Sequence, residues 1–209
     1  MADYFIGRHG QSEWNLVQRI QGQTNTRLSP KGLSQSQELC TALKDGSLGG
    51  IYTSQLDRSI LTAQPLASCL GIPLQSTELL NELAFGELEG KYRQALDETD
   101  QQVWDWWMED PIQRRIPGGE SYGDLLDRIN VFLGGLNRIE DHSPILIVGH
   151  LRVNQVLLGR LAGLTLKESL FIRQPNNWLY HFQSGSRVKR ARIPAHSGAK
   201  WDWQPGFLI

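Results

Sequence analysis

Cysteine and methionine are scarce in this 209-residue chain, two of each, and neither sign of charge is in excess. With so little cysteine there is no disulfide framework to read; Cys40 and Cys69, both in helix-like apolar stretches, read as core thiols rather than a bridge. The 21 basic side chains nearly cancel the 22 acidic ones, so bulk charge supplies no footprint for nucleic acid or an anionic membrane surface. No apolar run approaches bilayer length. Asp3, Arg8 and His9 interrupt what would have to be an unbroken secretory h-region, so a cytoplasmic protein is expected. Internal repeats of useful length and low-complexity tracts are also absent.

What is present is the composition of a globular protein, 40% hydrophobic and 21% charged. The length suits one domain over residues 1–209 carrying an insertion. Strand-like runs fall at residues 4–6, 50–53, 145–148 and 178–182, with weaker ones near Leu74 and over 187–193. Helical patterns lie between them. Ser29-Pro30 before Leu33, Leu39 and Leu43 reads as an N-cap, a first-turn proline and an apolar stripe. A second helix is expected over 56–70, kinked or broken at Pro65. Leu125, Ile129, Phe132 and Leu136 mark a third within 121–139, and 153–161 a fourth. Strands alternating with helices predict an α/β fold: a doubly wound, mostly parallel sheet with helices on both faces. Residues 81–119, rich in acids, tryptophans and prolines, break the rhythm and read as a cap insertion over the strand carboxyl ends. Residues 194–209 read as an ordered tail.

Two of the runs end in histidine: FIGRH at His9 and ILIVGH at His150. In open parallel sheets, groups just beyond the strand carboxyl ends converge near a topological switch point. Those groups are Arg8, His9 and His150, with Arg58 in the first turn of its helix, where free N–H groups and the helix dipole favour an anion. Two guanidinium groups, two imidazoles and a helix end suit a phosphate or phosphomonoester, because the guanidinium fork matches phosphate oxygens. A neutral histidine held by hydrogen bonds can attack phosphorus in line. A carboxylic acid is then needed to protonate the departing alkoxide, and Glu82 in LNELAFGELEG is the best placed, ahead of Glu87 and Glu89.

The ordered set RHGQSEWN, LSPKG, YTSQLDRSILTAQ, LNELAFGELEG, PGGES and ILIVGH resembles the histidine phosphatase superfamily, in its phosphoglycerate mutase-like branch, from about Phe5 to about Leu161. The resemblance implies that His9 is the nucleophile and Glu82 the acid and base. It makes Arg8, Arg58 and His150 the phosphate pocket, joined by Asn15, and sets Gln21 and Gly22 beside the substrate. It implies no metal and no nucleotide cofactor, in line with the lack of HExxH, a Walker loop or paired cysteines. Many members have small residues after the second histidine, where this chain has Leu151 and Arg152; Arg152 reads more readily as a solvated charge than as a substrate contact.

In the insertion, Arg114 and Arg115 are candidates to meet a substrate carboxylate or second phosphate, and the tryptophans 104, 106 and 107 read as a hydrophobic plug before a pocket wall. The basic cluster Arg187, Lys189, Arg190 and Arg192 reads as a solvated face, and neither His142 nor His181 needs a function. The expected activity is a phosphomonoester phosphatase acting on a small phosphorylated substrate, without nucleic acid or membrane partners. Open alternatives are a cofactor-dependent phosphoglycerate mutase and a catalytically silent phosphate-binding module. Exposed edge strands leave a homodimer open. Trp201, Trp203 and Phe207 raise the option that the tail closes over the site.

Overall fold

The computed structural model describes residues 3–136, 143–183, 188–196 and 200–209. The expected end of the third helix at Ile139, His142 and Arg187 lie outside them. In chain order come β1 (Tyr4–Arg8), α1 (Glu13–Leu16), α2 (Pro30–Leu43), β2 (Gly50–Thr53), α3 (Asp57–Leu70) and β3 (Leu74–Ser76). Then follow α4 (Glu98–Glu109), α5 (Tyr122–Leu136), β4 (Ile145–Gly149), α6 (Leu151–Ala162), α7 (Leu166–Ser169), β5 (Trp178–Phe182), β6 (Lys189–Arg192) and β7 (Gln204–Pro205).

The strands form one sheet in the order β3-β2-β4-β1-β5-β6-β7. β1, β2, β3 and β4 run parallel, and β5, β6 and β7 extend the sheet by antiparallel pairing. Alternate side chains of each strand serve opposite faces. Ile6, Tyr52, Ile145 and Ile147 enter a core with α5 and α6, while Ile51, Leu146 and Val148 enter the core with α2 and α3. The chain therefore leaves β1 toward one face and β4 toward the other, and the adjacent ends of β1 and β4 form the switch point where ligands of such sheets bind.

Three expectations about elements change. Leu33 is 53% exposed, because the inward arc of α2 is Gly32, Gln35, Ser36, Leu39 and Leu43, made largely of small and polar residues against α3. Pro65 lies inside an unbroken α3. Proline cannot donate to the Leu61 carbonyl, and the Ser36 hydroxyl of α2 donates to that oxygen instead at 2.9 Å. Cys40 is half-buried and Cys69 exposed, so the second is not a core residue, and both thiols are free.

A 3₁₀ turn over Glu78–Leu80 leads into residues 81–119, expected to be a cap insertion, which hold 3₁₀ turns over Gly86–Leu88 and Arg93–Ala95 and then α4, which Asp97 caps by accepting from Asp100 N at 2.9 Å. Trp107 is 1% exposed and packs with Phe85, Trp104 and Tyr122, whereas Trp106 is outside. The plug expectation thus describes two of the three tryptophans. In the tail, Trp201 stacks on Trp203, and Trp203 packs against Phe5 and His181 of the sheet. Arg190 is not simply solvated: it donates to the Pro205 and Gly206 carbonyls and fastens the tail to β6.

Candidate active site

β1 ends by handing its backbone to β4: His9 N donates to Gly149 O at 2.9 Å. This register sets His9 beside His150, with ring centroids 5.0 Å apart. The turn after His9 is tight enough that a Cβ on Gly10 would lie 2.6 Å from the Gly32 carbonyl, so only glycine lets the first turn of α2 come this close. Gly10 N in turn donates to Thr62 Oγ1 of α3 at 2.8 Å.

His9 is 2% exposed, and its Nδ1 lies 2.7 Å from the Gly10 carbonyl. A carbonyl oxygen only accepts, so Nδ1 carries the proton and Nε2 keeps its lone pair. Burial, then Arg58 and Arg8, hold the imidazole well below its usual pKa, which keeps it neutral. His150, fully buried at the N-cap of α6, is depressed in the same way by burial, Arg58, His9 and Arg8. Its Nε2 is 2.7 Å from Ser54 Oγ, and Ser54 Oγ already accepts from Leu56 N. A Ser54 hydroxyl that donates to Nε2 leaves the proton of the neutral imidazole on Nδ1 of His150, which is then a donor.

Arg58, in the first turn of α3, is 0% exposed; it donates to the carbonyls of Thr24 and Gly22 at 2.8 and 2.7 Å. Arg8 donates to the Gln174 carbonyl at 3.1 Å. Burial lowers both guanidinium pKa values to about 10, which leaves them cationic at neutral pH. Nε of Arg8, Nε of Arg58 and Nδ1 of His150 are buried donors without a hydrogen-bond partner among the described residues. Three orphaned donors beside a neutral imidazole have the chemistry to receive a multivalent oxyanion.

Glu82 is 8% exposed and meets the first turn of α6. Its Oε1 accepts from Leu83 N at 2.9 Å, Arg152 N at 3.2 Å and Val153 N at 3.3 Å. Oε2 has one long contact, 3.4 Å from Arg152 N, and is the oxygen with capacity for a proton. Glu89 serves a different end: it accepts from Gln23 N, Thr24 N and Phe85 N and ties the loop before α2 to the insertion. Glu87 faces solvent.

The remaining sequence candidates divide. Asn15 closes a capping box with Ser12 through its Oδ1, leaving its amide NH₂ as the donating end. Gln21 accepts from Ser12 Oγ at 2.9 Å. Gly22 has φ of +52° and offers its carbonyl to Arg58, so its contact is with that arginine. Arg114 and Arg115 are not brought to this cluster: Arg114 pairs with Glu109 and lies over Trp106, and Arg115 makes a bidentate pair with Asp124 at 2.6 Å. Arg152, expected to be solvated, is half-buried beside Arg8, Gln155 and Glu82.

Sequence reasoning missed Ser54, Thr62, Asn154, Gln174 and Asn176. Asn154 Nδ2 binds Gln174 Oε1 at 2.7 Å, Gln174 Nε2 binds Ile6 O at 2.8 Å, and Asn176 Nδ2 binds His9 O at 2.6 Å. Only Ser54 carried a signal, its place just after a strand. Among the described residues no group of three His, Cys, Asp or Glu could hold a metal ion, and no helix is long and apolar enough to cross a membrane.

The strand-end histidine pair flanked by buried arginines is accompanied by a family match over most of the chain. The chain belongs to the histidine phosphatase superfamily (branch 1), whose profile matches residues 4–192. Escherichia coli GpmB, named "Probable phosphoglycerate mutase GpmB", is 31% identical over 164 residues, covering 78% of this chain and 76% of that protein. The crystal structure of the alpha-ribazole phosphatase from Shigella flexneri superposes with a TM-score of 0.84 at 25% identity, over 95% of this chain and 99% of that one. A mycobacterial glucosyl-3-phosphoglycerate phosphatase shares the fold, with a TM-score of 0.77 at 23% identity over 99% and 98% of the two chains.

Proposed function

We propose that the protein is a metal-independent phosphomonoester phosphatase that hydrolyses a small phosphorylated metabolite through a phosphohistidine on His9. The observation that carries this reading is the set of three buried, unpartnered donors on Arg8, Arg58 and His150 around a histidine whose Nε2 lone pair is free. A phosphoryl group held by those donors presents phosphorus to Nε2. The Nε2–P bond forms as the P–O bond to the alcohol breaks, and the leaving oxygen takes its proton from Glu82. Water then attacks the phosphohistidine and gives its proton to the Glu82 carboxylate, releasing phosphate and restoring both groups. The arginines and the N-termini of α3 and α6 stabilise charge on the equatorial oxygens.

Phosphorus NMR with 3-phosphoglycerate, with and without bisphosphoglycerate, and a panel of sugar and amino-acid phosphates tests the reading. Inorganic phosphate should appear without isomerisation, and His9→Ala should lower kcat on the order of 10⁴-fold or more. A variant that keeps wild-type turnover would falsify the mechanism. The second reading is a mutase, favoured by the 31% identity to GpmB. It requires bisphosphoglycerate-dependent formation of 2-phosphoglycerate with little phosphate release. Binding without turnover would instead mark a silent phosphate-binding module.

A further inference from the structure

A cleft of about 490 Å³ opens beside the phosphate pocket, with Arg8 in its lining. Its apolar walls are Leu151, Leu170, Phe171, Ile172, Pro175 and Ile209, and it carries two further cations, Arg152 and Arg173. Neither of these has a carboxylate partner among the described residues, unlike Arg114, Arg115 and Arg128. The wall is held in place from behind. Arg173 N donates to Leu208 O at 2.7 Å, and buried Tyr180 donates its hydroxyl to Arg173 O at 2.7 Å while accepting from Leu208 N at 3.1 Å. Tyr180 thus clamps the 170–175 segment to the end of the tail. Of the tail side chains, Ile209 rather than Trp201 or Trp203 reaches this cleft.

A cavity of this size matches ligands well beyond a three-carbon acid. A small polyol would leave the apolar walls wetted, whereas a hydrophobic alcohol would dry them. Two guanidinium groups without a carboxylate partner, on a lining whose other polar side chains are Arg8, Gln155 and Gln174, favour a remote anion at the far end of that alcohol. We propose that this cleft is the leaving-group subsite, and that it selects phosphomonoesters whose alcohol has an apolar body ending in a carboxylate, which Arg152 and Arg173 receive. This rests on the phosphatase reading above for the position of the scissile phosphate. It adds a substrate class and assigns selection to the α6 and 170–175 side of the site, where the sequence had pointed to Arg114 and Arg115 of the insertion.

The test uses three esters on the full chain: 4-(phosphonooxy)phenylacetate, its uncharged primary amide, and glycerol 3-phosphate. Wild type should turn over the acid with a kcat/KM at least about tenfold above the amide, the scale of one charged hydrogen bond, and the amide above glycerol 3-phosphate. Arg173→Gln and Arg152→Gln should each shrink the acid-to-amide ratio, and the double variant should bring it close to one; Arg192→Gln, on the exposed edge of β6, should leave it unchanged. Because the ratio is taken within each variant, partial unfolding does not mimic the effect. Turnover of all three esters that depends on His9, with an acid-to-amide ratio near one in wild type or insensitive to both arginines, overturns the subsite and leaves the phosphatase standing. If no ester is turned over, the phosphatase reading falls, and calorimetric binding of acid and amide to His9→Ala judges the cleft separately: equal affinities overturn it.

Discussion

At the scale of single residues, the site depends on neutral, buried imidazoles. His9 and His150 are 2% and 0% exposed, and both are held well below the ordinary histidine pKa, chiefly by burial. In the unfolded chain they titrate near 6.5. As pH falls below about 6.5, the unfolded chain therefore takes up protons that the folded one does not, and stability present above 6.5 drains away down to the folded pKa values. The expected loss is up to about 1.4 kcal/mol per pH unit for each histidine, read from urea melts between pH 7.5 and 5.5. His150→Gln should flatten that slope. A second outcome concerns Glu82. Glu82→Gln should slow the pre-steady-state burst of alcohol release by about 10²- to 10⁴-fold for alkyl phosphates, and far less for 4-nitrophenyl phosphate, whose leaving oxygen needs no proton, while phosphohistidine hydrolysis slows alike for both. An equal slowing of the burst with both substrates would remove Glu82 as the acid. The residues legible in sequence were those at strand ends, His9 and His150, and the helix-start Arg58. Asn154 and Gln174 were not, because the atoms they serve lie 147 and 168 positions away.

At the scale of elements, the parallel strands β1, β2 and β4 and their helices were readable because strands buried on both faces are written as near-continuous apolar runs, whereas β3, the half-exposed edge strand LQS, showed only as a weak run near Leu74. The helix faces were less so. The inward arc of α2 runs through Gly32, packed against the Gln11 backbone, and Ser36, which bonds α3, and a stripe drawn through the leucines alone turns Leu33 the wrong way. Pro65 shows the same limit. Its cost is met by another helix, through the hydrogen bond from Ser36 to Leu61 O. Ser36→Ala should therefore destabilise by about 1 kcal/mol, the net worth of one part-buried hydrogen bond. In a Pro65→Ala background the loss should shrink, since the alanine has a backbone N–H to donate to Leu61 O; chemical denaturation of the four proteins closes the cycle. Additive losses would show that Ser36 acts through some other contact.

At the scale of the whole molecule, the insertion is fastened to the core by Arg128 of α5. It pairs with Glu120 at 3.0 Å and donates to the carbonyls of Leu79 and Glu82 at 2.7 and 3.1 Å. With side-chain exposures of 14% and 22%, this pair is shielded enough for its loss to matter. Arg128→Met should cost about 2–4 kcal/mol in urea melts, and in protein that remains folded it should lower kcat more than it raises KM, because the segment carrying Glu82 loses its anchor. A variant that is destabilised with kcat intact would confine Arg128 to a structural role. Residues that share the site but not a stretch of chain depend on this assembly. Arg114 and Arg115 lay in a cap and looked available for substrate, yet Glu109 and Asp124 occupy them. Arg152, in the first turn of α6, looked solvated and instead flanks Glu82.

The sequence by itself determined the local matters: where apolar runs end, which ends carry histidine or arginine, where Ser29 caps a helix, and the ordered motifs that mark the family. Each depends on contacts within a few residues or on identity alone. Only the tertiary structure decided which donors remain without a partner, which carboxylate meets the first turn of α6, and which arginines stay unneutralised beside the cleft. Those are properties of pairs of groups far apart in the chain, and the free energy that selects them, burial of charge against its pairing, is defined only once the sheet has brought both groups out of water.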